Sequence, residues 1–94
     1  MITEVEFDKA VEFYVSRYGD RHIREDIRLR GKARELGYTI EYGDSFGDSL
    51  RFRRGDRIIR RGIRSDRDSV MKVHEVWVSS DGGHYDTLEE ALEG

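Results

Sequence analysis

The sequence predicts an α+β domain with two N-terminal helices, then a three- to four-stranded antiparallel sheet and a short C-terminal helix. A change in apolar spacing supports this fold class. Up to Gly37 the apolar residues recur every three or four positions, as on one face of a helix; from Tyr38 they recur every second position, as in a strand. A chain of 94 residues supports only one core, so we predict a single domain over residues 1–94.

A first helix is predicted to follow Thr3. Thr3 and Glu6 have the spacing of a capping box, in which each side chain bonds the backbone N–H of the other residue. The apolar face behind this box consists of Phe7, Val11, Tyr14 and Tyr18. Gly19 is expected to end the helix.

A second helix is predicted from Asp20, as its N-cap, to Gly37, which suits a left-handed position after the last turn. Its inward residues would be Ile23, Ile27, Leu29, Ala33 and Leu36. The other face alternates basic and acidic side chains, partly at i, i+4 spacing, as solvated helices do.

The sheet is predicted to begin with a short strand that alternates polar residues with Tyr38, Ile40 and Tyr42. Residues 43–49 read as a loop by composition, and residues 50–64 as a hairpin around the two-residue turn Gly55-Asp56.

The predicted hairpin places arginines opposite each other. The facing pairs are Arg54 with Arg57, Arg53 with Ile58, Phe52 with Ile59, Arg51 with Arg60 and Leu50 with Arg61. Like charges directly opposite each other destabilise a hairpin. We therefore expect that acids of the C-terminal third, or an anionic partner, offset the repulsion in the pairs Arg54–Arg57 and Arg51–Arg60.

A charged loop is predicted at residues 64–69, followed by the strongest strand of the chain at residues 70–80. That strand has apolar residues on both faces, which indicates a central position in the sheet. Residues 81–83 (Asp-Gly-Gly) predict a tight turn, after which Tyr85 is expected to pack back as a short strand or an anchor.

The terminal helix is predicted over residues 88–93. Thr87 and Glu90 repeat the capping-box spacing of the N-terminus. Acidic residues in the first turn suit the positive end of the helix dipole.

Arginine is concentrated in the hairpin and just beyond it. Between Arg51 and Arg67, eight arginines accompany two acids, so this segment carries +6 in a chain of net charge −3, and the remainder carries −9. Such a separation indicates an anionic partner. The predicted partner contacts are Arg51, Arg53, Arg54, Arg57, Arg60, Arg61, Arg64, Tyr42 and Phe46. Tyr38, Tyr42 and Phe46 are expected to lie near the hairpin as anchors.

Several classes of site are not supported by the sequence. It contains no cysteine, and its three histidines have no metal-ligand spacing, so we predict neither a metal nor a cofactor. No apolar run approaches the roughly 18 residues that a membrane span needs, and Met1 leads into an acidic helix rather than a signal peptide. We expect a cytoplasmic protein, in the host cytoplasm if it is phage-encoded.

Residues 47–50 read Gly-Asp-Ser-Leu, and Asp81 and His84 have D-x-x-H spacing. Both resemble the nucleophile and acid–base blocks of GDSL-type hydrolases. That family has a flavodoxin-like parallel sheet, and the strand–helix alternation of such a sheet is absent here. We therefore predict a protein that is not an enzyme.

Nucleic-acid binding is one function open to the hairpin, whose arginines would neutralise phosphates while the ribbon enters a groove. The segment from Arg61 onward (RGIR, then a Trp-bearing strand, then YDTLEEAL) resembles the three-strand-plus-helix build of AP2-like and phage-integrase N-terminal DNA-binding domains. The sequence pI of 5.6 weighs against this function, because DNA-binding domains typically have a pI above about 9.

The function we prefer from the sequence is a non-catalytic inhibitor or accessory protein of a phage or mobile element. The small cysteine-free build with dense mixed charge and helices before the sheet is similar to phage-encoded anti-defence proteins such as anti-CRISPRs. The resemblance implies docking on a host nuclease or nucleoprotein complex. Either the arginines would meet acids of the target, or phosphates would be imitated by Asp81, Asp86, Glu89, Glu90 and Glu93. A structural or toxin–antitoxin-type partner and a homodimer stay open.

Overall fold

The computed structural model describes the backbone of residues 1–65 and 73–94 and the side chains of residues 1–63 and 75–94. Within these ranges the fold is α+β, as predicted. The helices are α1 (Glu4–Tyr18), α2 (Glu25–Arg28), α3 (Arg30–Glu35) and α4 (Leu88–Glu93), with a 3₁₀ turn at Asp20–His22. The strands are β1 (Thr39–Glu41), β2 (Arg51–Arg54), β3 (Arg57–Ser65), β4 (Val73–Ser79) and β5 (His84–Tyr85). The sheet exceeds the predicted three or four strands because β5 pairs with β4.

The first helix is confirmed at both ends. The hydroxyl of Thr3 accepts a hydrogen bond from the Glu6 backbone N–H at 3.2 Å, and the Glu6 carboxylate accepts one from the Thr3 backbone N–H at 3.4 Å. Gly19 ends the helix with a φ of 80°, a backbone angle that favours glycine.

The short helices α2 and α3 replace the predicted second helix, so the prediction of a single helix from Asp20 to Gly37 is wrong. Asp20 lies inside the 3₁₀ turn instead of capping a helix, and Ile23 is extended (φ −68°, ψ 135°). The backbone departs from helical geometry again at Leu29 (φ −93°, ψ 8°), between α2 and α3. Gly37 does adopt the predicted left-handed conformation, with a φ of 91°.

Buried hydrogen bonds account for the interrupted helix. The carboxylate of Asp26, which is only 2% exposed, accepts a bond from the Leu50 backbone N–H at 2.9 Å. Arg24 donates to Asp26 at 3.1 Å and to the carbonyl of Phe46 at 2.6 Å. These bonds hold α2 against the loop that precedes β2, and they override the helical preference of the local sequence.

The sheet is antiparallel throughout, in the order β1-β2-β3-β4-β5. The predicted hairpin register is confirmed by the pairs Phe52–Ile59, Arg53–Ile58 and Arg54–Arg57. Gly55 turns the chain with a φ of 61°. The loop predicted from Arg64 is wrong at its first two residues, because β3 continues to Ser65. Residues 66–69 of that loop and residues 70–72 of the predicted fourth strand lie outside the described residues.

The two faces of the sheet have different environments. Residues paired across antiparallel strands share a face, so Ile40, Phe52 and Ile59 lie together, and Trp77 lies on the same face beside Tyr85. This face packs on the helices in one core cluster, which contains Phe7, Ile27, Leu29, Ala33, Tyr38, Leu50, Phe52, Ile59, Trp77, Leu88, Ala91 and Leu92. We call the opposite face the outer face. Its strand positions are Thr39, Glu41, Arg51, Arg53, Ile58, Arg60, Gly62, Arg64, His74, Val76, Val78 and His84.

The C-terminal helix α4 has its predicted bounds. The hydroxyl of Thr87 accepts a bond from the Glu90 backbone N–H at 3.2 Å, as the capping spacing predicts. The carboxylate of Glu25 accepts a second bond from the Leu88 backbone N–H at 3.2 Å, which links α4 to α2. No helix in the described part of the chain is long and apolar enough to cross a bilayer.

Candidate functional site

The predicted arginines divide between the two faces of the sheet. Arg57, opposite Arg54, is largely buried and donates to the Tyr38 hydroxyl and, at 3.3 Å, to the carboxylate of Asp81. Burial alone would lower the pKa of Arg57, but the contacts with Tyr38 and Asp81 outweigh it and raise the pKa above the ordinary value. Arg57 is therefore held as a cation inside the fold.

Arg54 and Arg61 also make contacts within the molecule. Arg54 donates to the carbonyl of Leu36 at 3.1 Å and stacks over the ring of Tyr38, with its guanidinium carbon 4.5 Å from the ring centre. Arg61 forms an ion pair with Glu75 and donates to the Ser49 hydroxyl at 3.3 Å. Each of the three arginines on the helix side of the hairpin thus has a partner within the molecule. Two of these partners, Asp81 and Glu75, are acids of the C-terminal third, which the sequence predicted as one way to offset the repulsion.

The second opposed pair, Arg51 and Arg60, lies on the outer face and lacks such internal partners among the described side chains. The register places Arg51 opposite Arg60, one position beyond the Phe52–Ile59 pair. Both side chains are exposed, and neither forms an ion pair with any residue whose side chain is described. Their mutual repulsion is therefore not offset by an ion pair with a described side chain, although Glu41 lies opposite Arg51 on β1.

Arg53 completes the exposed cationic group of the outer face. It pairs with Glu41 at 3.1 Å, and about half of its side chain is exposed. Glu41 is the only acid among the described strand positions of this face, and it lies opposite Arg51 in the register while its carboxylate bonds Arg53. We call Arg51, Arg53 and Arg60 the arginine cluster.

The surroundings of the arginine cluster are small or aliphatic. Ile58 and Val78 are partly buried, and Val76 is the one described outer-face side chain that is buried. A Cβ at Gly62 would come within 2.7 Å of a Val78 methyl carbon, so this position needs glycine. Arg64 occupies an outer-face position on β3, further along the strand; its side chain is outside the described set.

Tyr42 lines one groove with Arg51 and Arg60, and Phe46 lies in the loop that precedes β2. Both rings pack on Phe7 of α1, with centroid distances of 4.9 Å and 5.2 Å. The Tyr42 hydroxyl accepts hydrogen bonds from Arg30 and Arg34, each at 3.3 Å. The structure thus gives both aromatic residues a packing role, and a contact with a partner stays a prediction.

The carboxylates proposed as phosphate mimics are mostly engaged within the fold. Lys32 binds Glu89 at 2.8 Å and Glu93 at 3.0 Å, and Asp81 binds Arg57. The hydrogen bond from Lys32 lowers the pKa of Glu89, and the same bonds raise the pKa of Lys32. An acidic surface that is already paired with cations has less charge to offer a basic channel.

The hydrolase-like motifs lie apart. Ser49 lies just before β2, whereas His84 lies on β5, and β3 and β4 separate these two strands by roughly 14 Å at the usual strand spacing. A serine nucleophile and its base must be within hydrogen-bond reach, so the two motifs cannot act together in this arrangement. The described residues contain no group of three or more side chains that could hold a metal ion.

Sequence reasoning missed two residues that organise this site. Asp26 holds the segment before β2 in place, and Glu41 bonds Arg53. Asp26 directly precedes Ile27, and nothing in the local sequence indicates that its carboxylate is buried. Glu41 could not be assigned to Arg53 because the spacing of residues does not reveal that β1 pairs with β2. No protein-family model, curated protein sequence or solved structure matches the chain.

Proposed function

We propose that the protein binds nucleic acid through the outer face of its sheet, with the arginine cluster on the phosphates. The observation that carries the proposal is the opposed pair of Arg51 and Arg60, which is exposed and forms no ion pair with a described side chain. In the corresponding pair on the other side of the hairpin, Arg57 forms an ion pair with Asp81 and Arg54 donates to the carbonyl of Leu36. A polyanion at the outer face would remove the remaining repulsion.

The position of the arginine cluster supports this function. The core cluster lies on the helix side, and Val76 is the one buried side chain among those described on the outer face, so most of the described outer face is open to a partner across adjacent strands. Guanidinium groups are well suited to phosphate because they donate two parallel hydrogen bonds in a plane. Three such contacts should give log Kobs a slope of about −2.7 against log salt concentration for a B-form duplex.

The test is a fluorescence-anisotropy titration of a labelled duplex at two salt concentrations. Affinity should fall about forty-fold between 50 and 200 mM salt, and Arg51→Ala or Arg60→Ala should reduce that factor to about twelve-fold. Arg17→Ala, which removes an exposed arginine from α1, is the matched control and should change little. No binding at 50 mM salt, or equal losses in Arg60→Ala and Arg17→Ala, would refute the proposal.

A second candidate is the non-catalytic inhibitor that docks on a host nuclease or nucleoprotein complex. The charge of −9 outside the arginine segment favours it, because a free duplex repels such a surface while a protein with mixed charge does not. Partly buried Ile58 and Val78 would then add apolar contacts beside the arginines. Purified protein added to a guide-dependent nuclease should slow cleavage, and Arg60→Glu should relieve the inhibition; an unchanged cleavage rate with several such nucleases would count against this candidate.

A further inference from the structure

The described strand positions of the outer face hold no Phe, Tyr or Trp, although the chain contains ten such residues. Phe52, Trp77 and Tyr85 all lie on the helix side of the sheet, where they contribute to or pack against the core. The only ring among the described outer-face side chains is the imidazole of His84 on the edge strand β5. That strand is separated from β3 by β4, and is thus about 10 Å away from it.

This distribution bears on the kind of nucleic acid that fits. Proteins that hold single strands on an open sheet stack successive bases on aromatic rings, and each stacked base contributes substantially to affinity. The outer face instead has arginines beside aliphatic and small side chains, namely Ile58, Gly62 and Val78. It can meet phosphates and base edges but has almost nothing for an unstacked base to lie on.

The width of the site favours one form of duplex. Arg51 and Arg53 are on β2 and Arg60 is on the adjacent β3, and neighbouring strands lie about 4.8 Å apart. The major groove of B-DNA is about 12 Å wide and admits a two-stranded ribbon, whereas the major groove of an RNA helix is too narrow for side chains to read. β2 and β3 are internal strands, with β1 and β4 beside them, so the sheet face meets the duplex and the arginine side chains reach into the groove. This docking requires a groove that side chains can enter, which the DNA duplex offers and the RNA duplex does not.

Resting on the proposed function, we infer that the ligand of the outer face is double-stranded DNA, approached from its major groove, and neither single-stranded nucleic acid nor an RNA duplex. Arg51 and Arg60 lie directly opposite each other and can reach one phosphate or one guanine edge together, while Arg53 reaches a neighbouring position on the same side of β2.

The experiment compares one sequence of about 20 positions as a DNA duplex, a single DNA strand and an RNA duplex at the same salt concentration. The DNA duplex should bind at least ten-fold more tightly than the other two. Equal or tighter binding of the single strand or the RNA duplex would overturn this inference and leave the proposed function standing. Failure of all three to bind would remove the proposed function itself.

A gain-of-function variant tests the reasoning from another direction. Ile58→Tyr adds a ring next to the arginine cluster and should raise the affinity for the single strand at least five-fold without a comparable gain for the duplex. Methylation of guanine N7, in the major groove, should weaken duplex binding, and methylation of adenine N3, in the minor groove, should not. Interference only at adenine N3, or no response to Ile58→Tyr, would contradict the inferred docking.

Discussion

Reversing the charge at Arg60 should stabilise the fold while it weakens binding. In the observed register Arg60 lies opposite Arg51 on the exposed face, with the guanidinium groups roughly 6 Å apart if both side chains extend from non-hydrogen-bonded positions. Two like charges at that distance repel by about 0.7 kcal/mol in water, and by about 0.3 kcal/mol after screening at 0.15 M salt. Arg60→Glu converts this repulsion to attraction of similar size, a net gain of about 0.6 kcal/mol.

The matched control is the same charge reversal at Arg53, which lies on β2 two residues from Arg51. Arg53→Glu removes the 3.1 Å ion pair with Glu41 and leaves two carboxylates close together, so it should lower the free energy of unfolding. The two variants change the net charge equally and lie on the same face. Any general effect of total charge therefore cancels in the comparison.

Thermal and urea unfolding at 0.02 and 0.15 M salt would measure both effects. For a domain of this size a gain of about 0.6 kcal/mol corresponds to about 2–5 °C in Tm, and the difference between Arg60→Glu and Arg53→Glu should shrink as salt rises. Both variants should bind duplex DNA less tightly than the parent. A loss of stability in Arg60→Glu as large as that in Arg53→Glu would refute the opposed arrangement of Arg51 and Arg60.

Three further predictions concern the contacts that shape the domain. Asp26→Asn should destabilise it by about 2–3 kcal/mol in urea unfolding, because the buried amide cannot accept all the bonds of the carboxylate, including that from Leu50; an unchanged midpoint would contradict this role. Tyr38→Phe should cost about 1–2 kcal/mol by the same assay, because the hydroxyl bonds two buried partners, and a gain in stability would argue against those bonds. The Lys32–Glu89 pair should add to stability between about pH 4.5 and 10.5, and this contribution should fade as pH falls through the lowered pKa of Glu89 or rises through the raised pKa of Lys32. The Tm difference between the parent and Lys32→Met should accordingly be largest inside that window; a difference independent of pH would be the contrary result.

The sequence alone determined the elements whose signals are local. The capping spacings of Thr3 with Glu6 and of Thr87 with Glu90 placed α1 and α4 correctly, because a cap requires only residues within one turn. The turn at Gly55 fixed the hairpin register, since a two-residue turn leaves one way to pair the flanking residues. The two opposed arginine pairs followed from that register.

Tertiary structure decided the features that depend on distant partners. The region around Asp26 lost its predicted continuous helix because a buried carboxylate bonds the backbone of Leu50, 24 positions away. Tyr42 and Phe46 packed on Phe7 of α1, a contact that spacing along the chain could not reveal.

The division of the arginines was likewise settled only in three dimensions. A two-residue period tells which side chains share a face, but it does not tell which face the helices cover. Packing of the core on the Phe52 side placed Arg54 and Arg57 among internal partners and left Arg51 and Arg60 exposed on the other side. The sequence thus determined that arginines would oppose each other, and the packing of the helices decided which of those pairs an external anion can reach.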